Sequence, residues 1–105
     1  MAEPTAFQRA VNEVLESLQS GQVVSYTWVA YEAGSPNGGR AVGAFLREEL
    51  DSPNWWRVVA ADGRLVAPSA AEQARRLRAE GHVVVDQRVH PLPFHPGRSD
   101  RARRV

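Results

Sequence analysis

The sequence predicts a mainly α fold with a small β hairpin or strand element, arranged as a winged-helix-like helix-turn-helix domain. Three observations carry this reading. Apolar residues recur at helical spacing between residues 5 and 19. Two short helical stretches flank the run Gly34-Ser35-Pro36-Asn37-Gly38-Gly39, a helix-turn-helix candidate with a turn longer than usual, although helix hairpins of this kind are also common without DNA binding. The segments after residue 54 are short and extended, one of them folded around Asp62-Gly63.

Each element has a local cause. Phe7, Ala10, Val11, Val14, Leu15 and Leu18 follow the i, i+3, i+4 pattern, so a first amphipathic helix spans 5–19, with Thr5 as N-cap and Gly21 as a stop. Its other face (Gln8, Arg9, Asn12, Glu13, Glu16) reads as solvated. After a short extended entry at 22–24, Ser25 caps a second helix that runs to Ala33. The third spans 39–50 with Ala41, Val42, Phe45, Leu46 and Leu50 on its apolar side, and Asp51-Ser52-Pro53-Asn54 ends it. Residues 55–59 read as extended, 60–66 as a hairpin, 70–79 as a fourth helix capped by Ser69, and 82–89 as a final strand. One domain, 1–90, is expected, followed by a flexible Pro/Arg-rich tail, 91–105, with no internal repeat.

Composition narrows the function. Hydrophobic residues make up 43% and charged residues 24%, which suits a water-soluble domain with one modest core. No apolar run approaches the roughly 20 residues of a membrane span, and the start lacks a signal-peptide pattern, so a cytoplasmic protein without a membrane partner is expected. There is no cysteine, which removes disulfides, thiolate metal sites and cysteine nucleophiles together. The three histidines have no helical i, i+4 pairing, so neither metal nor cofactor is expected. All 13 Lys or Arg positions are arginine. Only three lie in residues 1–52, against seven acids; ten lie in 53–105, against five. A basic second half is compatible with a polyanionic partner, and a GC-rich genome accounts equally well for arginine in place of lysine.

The order Val24-Ser25-Tyr26, Val29-Ala30, Ala33-Gly34, Arg40-Ala41-Val42-Gly43 resembles the DNA-binding half of O6-alkylguanine-DNA alkyltransferases. Arg57-Val58-Val59, Asp62-Gly63 and Ala79-Glu80-Gly81 resemble that family's active-site strand, hairpin and closing helix. Where the family carries Pro-Cys-His-Arg-Val, this chain has Asn54-Trp55-Trp56-Arg57-Val58, with Trp55 at the nucleophile and Trp56 at its activating histidine. An indole cannot accept an alkyl group as a thiolate does. The chain therefore resembles the alkyltransferase-like branch, which has tryptophan at the cysteine position and has lost transfer. Glu80 matches the glutamate that orients the histidine; with Trp56 in that place the role has no partner, which leaves Glu80 as a helix-end or hydrogen-bonding residue. The pocket arginine of some alkyltransferase-like proteins falls near Pro68, with Arg64 a candidate to compensate.

The resemblance implies a DNA-binding set of Ser25, Tyr26, Thr27, Arg40, Ala41, Val42 and Gly43, and a lesion pocket of Tyr26, Trp55, Trp56, Val66 and Ser69. Arg40 would fill the gap left by an extruded guanine; otherwise it is a solvated arginine at a helix N-terminus. Tyr26 would press on the phosphate beside the lesion, or pack on the first helix. Ser25 and Thr27 would meet phosphates or only cap a helix. Val42 and Trp56 have core readings, Trp28 reads as a core or surface aromatic, and Arg75, Arg76 and Arg78 as a solvated face. The implied function is non-enzymatic recognition of O6-alkylguanine in double-stranded DNA by nucleotide flipping through the minor groove. The resemblance further implies that the protein flags the lesion for nucleotide excision repair proteins; nothing in the sequence suggests an obligate dimer, so a monomer is expected. Lesion-independent DNA binding or transcription regulation on the same scaffold is the alternative.

Overall fold

The computed structural model describes residues 3–49, 51–65 and 68–98. Helix α1 (Ala6–Ser17) begins with a reciprocal cap: the Thr5 hydroxyl accepts from Gln8 N–H, and the Gln8 side chain accepts from Thr5 N–H, each at 3.0 Å. It buries Val11 and Leu15 and ends at Leu18, three residues before the expected stop. The Asn54 amide caps that end from afar, donating to the Leu15 carbonyl at 2.7 Å and the Leu18 carbonyl at 3.2 Å.

Strand β1 (Val24–Ser25) leads directly into helix α2 (Tyr26–Glu32), whose N-cap is Ser25. Helix α3 (Gly39–Glu48) packs across α2 after the glycine turn. A Cβ on Gly39 would stand 2.9 Å from Thr27 Oγ1 and 3.4 Å from Thr27 Cα, so the bare glycine sets how closely the helices approach.

The second half departs from expectation in three places. Residues Trp55–Arg57 form a turn of 3-10 helix and not an extended segment. The segment around Asp62-Gly63 is a tight turn closed by Ala60 N–H to the Arg64 carbonyl at 3.0 Å, but it does not join two paired strands. Strand β2 (Val58–Val59) instead pairs in parallel with β1, Val24 opposite Val58. The antiparallel hairpin lies later, where one strand was expected: β3 (Val83–Val85) and β4 (Arg88–His90), joined by Asp86 and Gln87 at φ 52° and 61°. Two left-handed residues make the tight turn that suits the strands' twist, and the aspartate tolerates this backbone without a glycine. Between β2 and β3 lies helix α4 (Ala70–Ala79), as expected, although Ser69 makes no side-chain capping bond.

β1 and β2 partition the interior, because successive strand side chains point to opposite faces. Val24 and Val58 join Val11, Leu15, Leu18, Val29, Ala30 and Val42 under α1–α3. Val23 and Val59 join Leu65, Leu77, Val84 and Val89 under α4 and the hairpin.

The packed body does not end at residue 90. Pro93 is fully buried, and Phe94 extends the parallel sheet beside Val24. Phe94 N–H donates to the Val23 carbonyl, and Ser25 N–H to the Phe94 carbonyl, each at 2.9 Å. Phe94 and Pro93 carry this segment back into the structure, so the expected tail is a packed strap through residue 98. The rest of that tail lies outside the described residues.

Candidate nucleic-acid interface

A cleft of about 560 Å³ opens between α2, α3 and the turn after β2. One wall carries Tyr26 and Thr27 from the first turn of α2, together with Gly39, Arg40, Gly43 and Arg47 from α3; Ala60, Ala61 and Arg64 make the other. Arg40 and Arg47 share a face because seven residues are close to two helical turns. No carboxylate lines the cleft among the described residues. Arg40, Arg47 and Arg64 have no ion pair or side-chain hydrogen bond there either. Arg64 feels the neighbouring Asp62 carboxylate, but the cleft still presents three guanidiniums, which attract a polyanion and match its phosphate oxygens. Arg40 is exposed in the first turn of α3, where the helix dipole disfavours a cation until an anion arrives. Burial pushes the Tyr26 phenol upward, and Arg47 offsets this only in part. The hydroxyl thus stays protonated at neutral pH and can donate to a phosphate.

The structure brings Tyr26, Thr27, Arg40 and Gly43 together as the resemblance implied. It does not bring Ser25, Ala41 or Val42 to the cleft lining. Ser25 is 1% exposed, and its hydroxyl accepts from Trp28 N–H at 2.9 Å and shares a 2.8 Å hydrogen bond with His95 Nδ1. It caps the helix that carries Tyr26. Val42 is fully buried in the core, as its alternative reading had it, and Ala41 is exposed. Arg47, Ala60 and Ala61 were absent from the expected set; the i+7 spacing from Arg40 was the available signal for Arg47.

The two tryptophans stand elsewhere. Trp55 and Trp56 meet edge to face, ring centroids 6.3 Å apart. The Arg76 guanidinium from α4 lies over both, 5.6 Å from Trp55 and 4.7 Å from Trp56. Arg76 is therefore not simply part of a solvated face. Neither indole lines the cleft. Ser69 is half-buried before α4, and Val66 lies outside the described residues.

Glu80 stands at the end of α4 as a hydrogen-bonding residue, with Trp56 itself among its partners. Trp56 Nε1 donates to it at 2.8 Å, so the indole N–H occupies the acceptor that a histidine would use. Arg57 donates through Nε at 3.1 Å and Nη2 at 2.7 Å, and Gly21 N–H at 3.0 Å. Arg57 is buried and further bonded to the Asn54 side chain and the Leu18 carbonyl, a structural role. Burial alone would raise the Glu80 carboxyl, but these donors outweigh it and hold it at about 2.

Two helices crossing at a glycine turn, with an arginine-lined cleft at the second helix's first turns, define a helix-turn-helix domain of the DNA-binding class. The comparisons agree. The sequence model of the 6-O-methylguanine DNA methyltransferase DNA-binding domain matches residues 6–82. A protein of Escherichia coli named DNA base-flipping protein is 34% identical over 88 residues, covering 80% of this chain and 68% of that protein; one of the same name from Shigella flexneri gives the same figures. Among solved structures, S. pombe Atl1 in complex with damaged DNA containing O6-carboxymethylguanine superposes with a TM-score of 0.68 at 22% identity, covering 84% of this chain and 89% of that one. S. pombe ATL in complex with DNA gives 0.65 at 21%, covering 85% and 89%. The chain belongs to the 6-O-methylguanine DNA methyltransferase DNA-binding family, as an alkyltransferase-like member with Trp55 at the cysteine position.

Proposed function

We propose that this protein binds duplex DNA containing an O6-alkylguanine, turns the damaged nucleotide out of the helix and holds it without removing the alkyl group. The observation that carries this is the cleft in which Tyr26 and three arginines converge on a helix-turn-helix, with no carboxylate in its lining among the described residues. The names of the E. coli and S. pombe relatives support it. Arg40 enters the duplex, where a planar cation stacks and hydrogen-bonds in the gap left by the extruded base. Tyr26 donates to the adjoining phosphate, and Arg47 and Arg64 take backbone phosphates. Contacts through the minor groove read sequence poorly, so lesion preference comes with little sequence preference. The held lesion and the bent duplex then mark the site for nucleotide excision repair.

Fluorescence anisotropy on matched duplexes, one with O6-methylguanine and one with guanine, tests the reading at fixed salt. A preference of about tenfold or more, roughly 1.4 kcal/mol, is expected. Equal affinity supports the second reading, lesion-independent DNA binding. That reading is favoured by the packing of Trp55 and Trp56 against Arg76 instead of on the cleft.

The absence of chemistry is testable at Trp55. The chain has no cysteine, and Trp56, at the activating position, directs its only side-chain donor to Glu80. A new thiol at residue 55 would have no base to take its proton. Trp55→Cys is expected to show no alkyl mass gain after incubation with O6-methylguanine duplex, read by intact-protein mass spectrometry. A gain of one methyl group would show that the scaffold activates a thiol without histidine.

A further inference from the structure

The strap at residues 93–98 lies beyond the 6–82 matched by the family's sequence model, yet it reaches the N-cap of α2 behind one wall of the cleft and Ala61 on the other. On one side Phe94 pairs with β1, and His95 Nδ1 shares its hydrogen bond with the Ser25 hydroxyl, the N-cap from which Tyr26 and Thr27 follow. On the other side the Arg98 guanidinium bridges two carbonyls. Nη1 donates to Pro93 at 2.7 Å and Nη2 to Ala61 at 2.8 Å. Pro93 is fully buried, so this is an anchor in the core. Ala61 lines the cleft beside Ala60 and Arg64, on the wall facing Tyr26 and Arg40.

From this bridge we infer that Arg98 is a positioning residue for DNA binding, fixing the Ala60–Arg64 wall against the Tyr26–Arg40 wall. The inference rests on the DNA-binding reading of the cleft. Arg98 lies in the Pro/Arg-rich segment that the sequence alone presents as a flexible tail. A guanidinium with two fixed donors on backbone carbonyls is not a free cation; it sets a distance. A planar fork spans two acceptors in one geometry, which an alkyl chain cannot replace and a single ammonium replaces only in part. Without it the Ala61 carbonyl loses its tie to the strap, and the wall that carries Arg64 is free to shift. Binding then has to restore the cleft before phosphates can be held, which lowers affinity without removing any contact to DNA.

The test uses the full chain, its Arg98→Ala and Arg98→Lys variants, and the O6-methylguanine duplex over a series of salt concentrations. Circular dichroism melting sets an assay temperature at which each variant is fully folded. Arg98→Ala is expected to bind about five- to tenfold more weakly, the range open to one or two hydrogen bonds, with the slope of affinity against salt unchanged and Arg98→Lys intermediate. The amide resonances of Ala61 and Arg64 should shift in DNA-free Arg98→Ala while those of α1 stay in place. Unchanged affinity and unchanged Ala61 and Arg64 resonances would overturn the inference. So would weaker binding with the salt slope reduced by about 0.9, the signature of one lost phosphate contact, because Arg98 would then touch DNA itself. Failure of the wild-type chain to bind any duplex would instead remove the DNA reading, and this inference with it.

Discussion

Glu80→Gln is expected to destabilise the fold by about 3 kcal/mol, the cost of leaving one member of a buried ion pair uncompensated. The Arg57 and Glu80 side chains are only 10% and 13% exposed and meet at 2.7 Å. The same carboxylate accepts from Trp56 Nε1 and Gly21 N–H, so it ties the Trp55–Arg57 turn and the end of α4 to the segment after α1. A glutamine keeps the shape but not the charge, and it points an amide donor where only acceptors are wanted. Urea denaturation at pH 7 measures the loss. Replacing both residues by apolar ones, Arg57→Leu with Glu80→Leu, should cost less than Glu80→Gln alone, because no buried charge is then left unpaired. A loss below about 1 kcal/mol for Glu80→Gln would place the pair among ordinary surface bridges.

The same pair gives a pH signature with a definite sign. The Glu80 carboxyl sits at about 2 in the folded chain, against 4.5 for an ordinary glutamate. A lowered folded-state value means the stabilisation is fully present above the ordinary value and is lost as pH falls towards the folded one. The stability gap between wild type and Glu80→Gln should therefore hold above about pH 4.5 and close as pH approaches 2.

Gly63→Ala is the second large effect, expected at about 2–4 kcal/mol from two causes acting together. The backbone at Gly63 has φ +88°, which an L side chain rarely adopts. An added Cβ would also stand 2.8 Å from the Val89 carbonyl oxygen. That oxygen belongs to β4, held against the turn by Val89 N–H donating to the Gly63 carbonyl at 2.9 Å, and Val89 is itself fully buried. Neither side can yield without opening the core under α4 or moving the cleft wall that carries Arg64. The melting midpoint should fall by about 8 °C or more, at roughly 4–8 °C per kcal/mol for a domain of this size. A fall under about 3 °C would mean that the turn relaxes freely away from β4.

The first half of the molecule was legible because its causes are local. The apolar period of α1, its Thr5 cap, the Ser25 cap and the glycine turn all act within a few residues, and each lies where the sequence puts it. The second half depends on partners distant in the chain. β2 pairs with β1 more than 30 residues away, and Phe94 joins from the far side. No local pattern announces either pairing. Asp86 and Gln87 turn the chain without a glycine, so the hairpin read as one strand. At the site, Tyr26 and Arg40 followed from the resemblance. Trp56 did not, because replacing histidine by tryptophan conceals that an indole N–H can still satisfy Glu80.

Base extrusion tests the account most directly. A duplex carries 2-aminopurine beside O6-methylguanine, where stacking quenches the fluorescent base until its neighbour leaves the helix. Titration with the protein is predicted to raise the fluorescence to saturation at one chain per duplex, with Arg40→Ala giving a much smaller rise. Saturable binding of the lesion duplex with no change in fluorescence would contradict it, since the damaged base would then have been held within the stack.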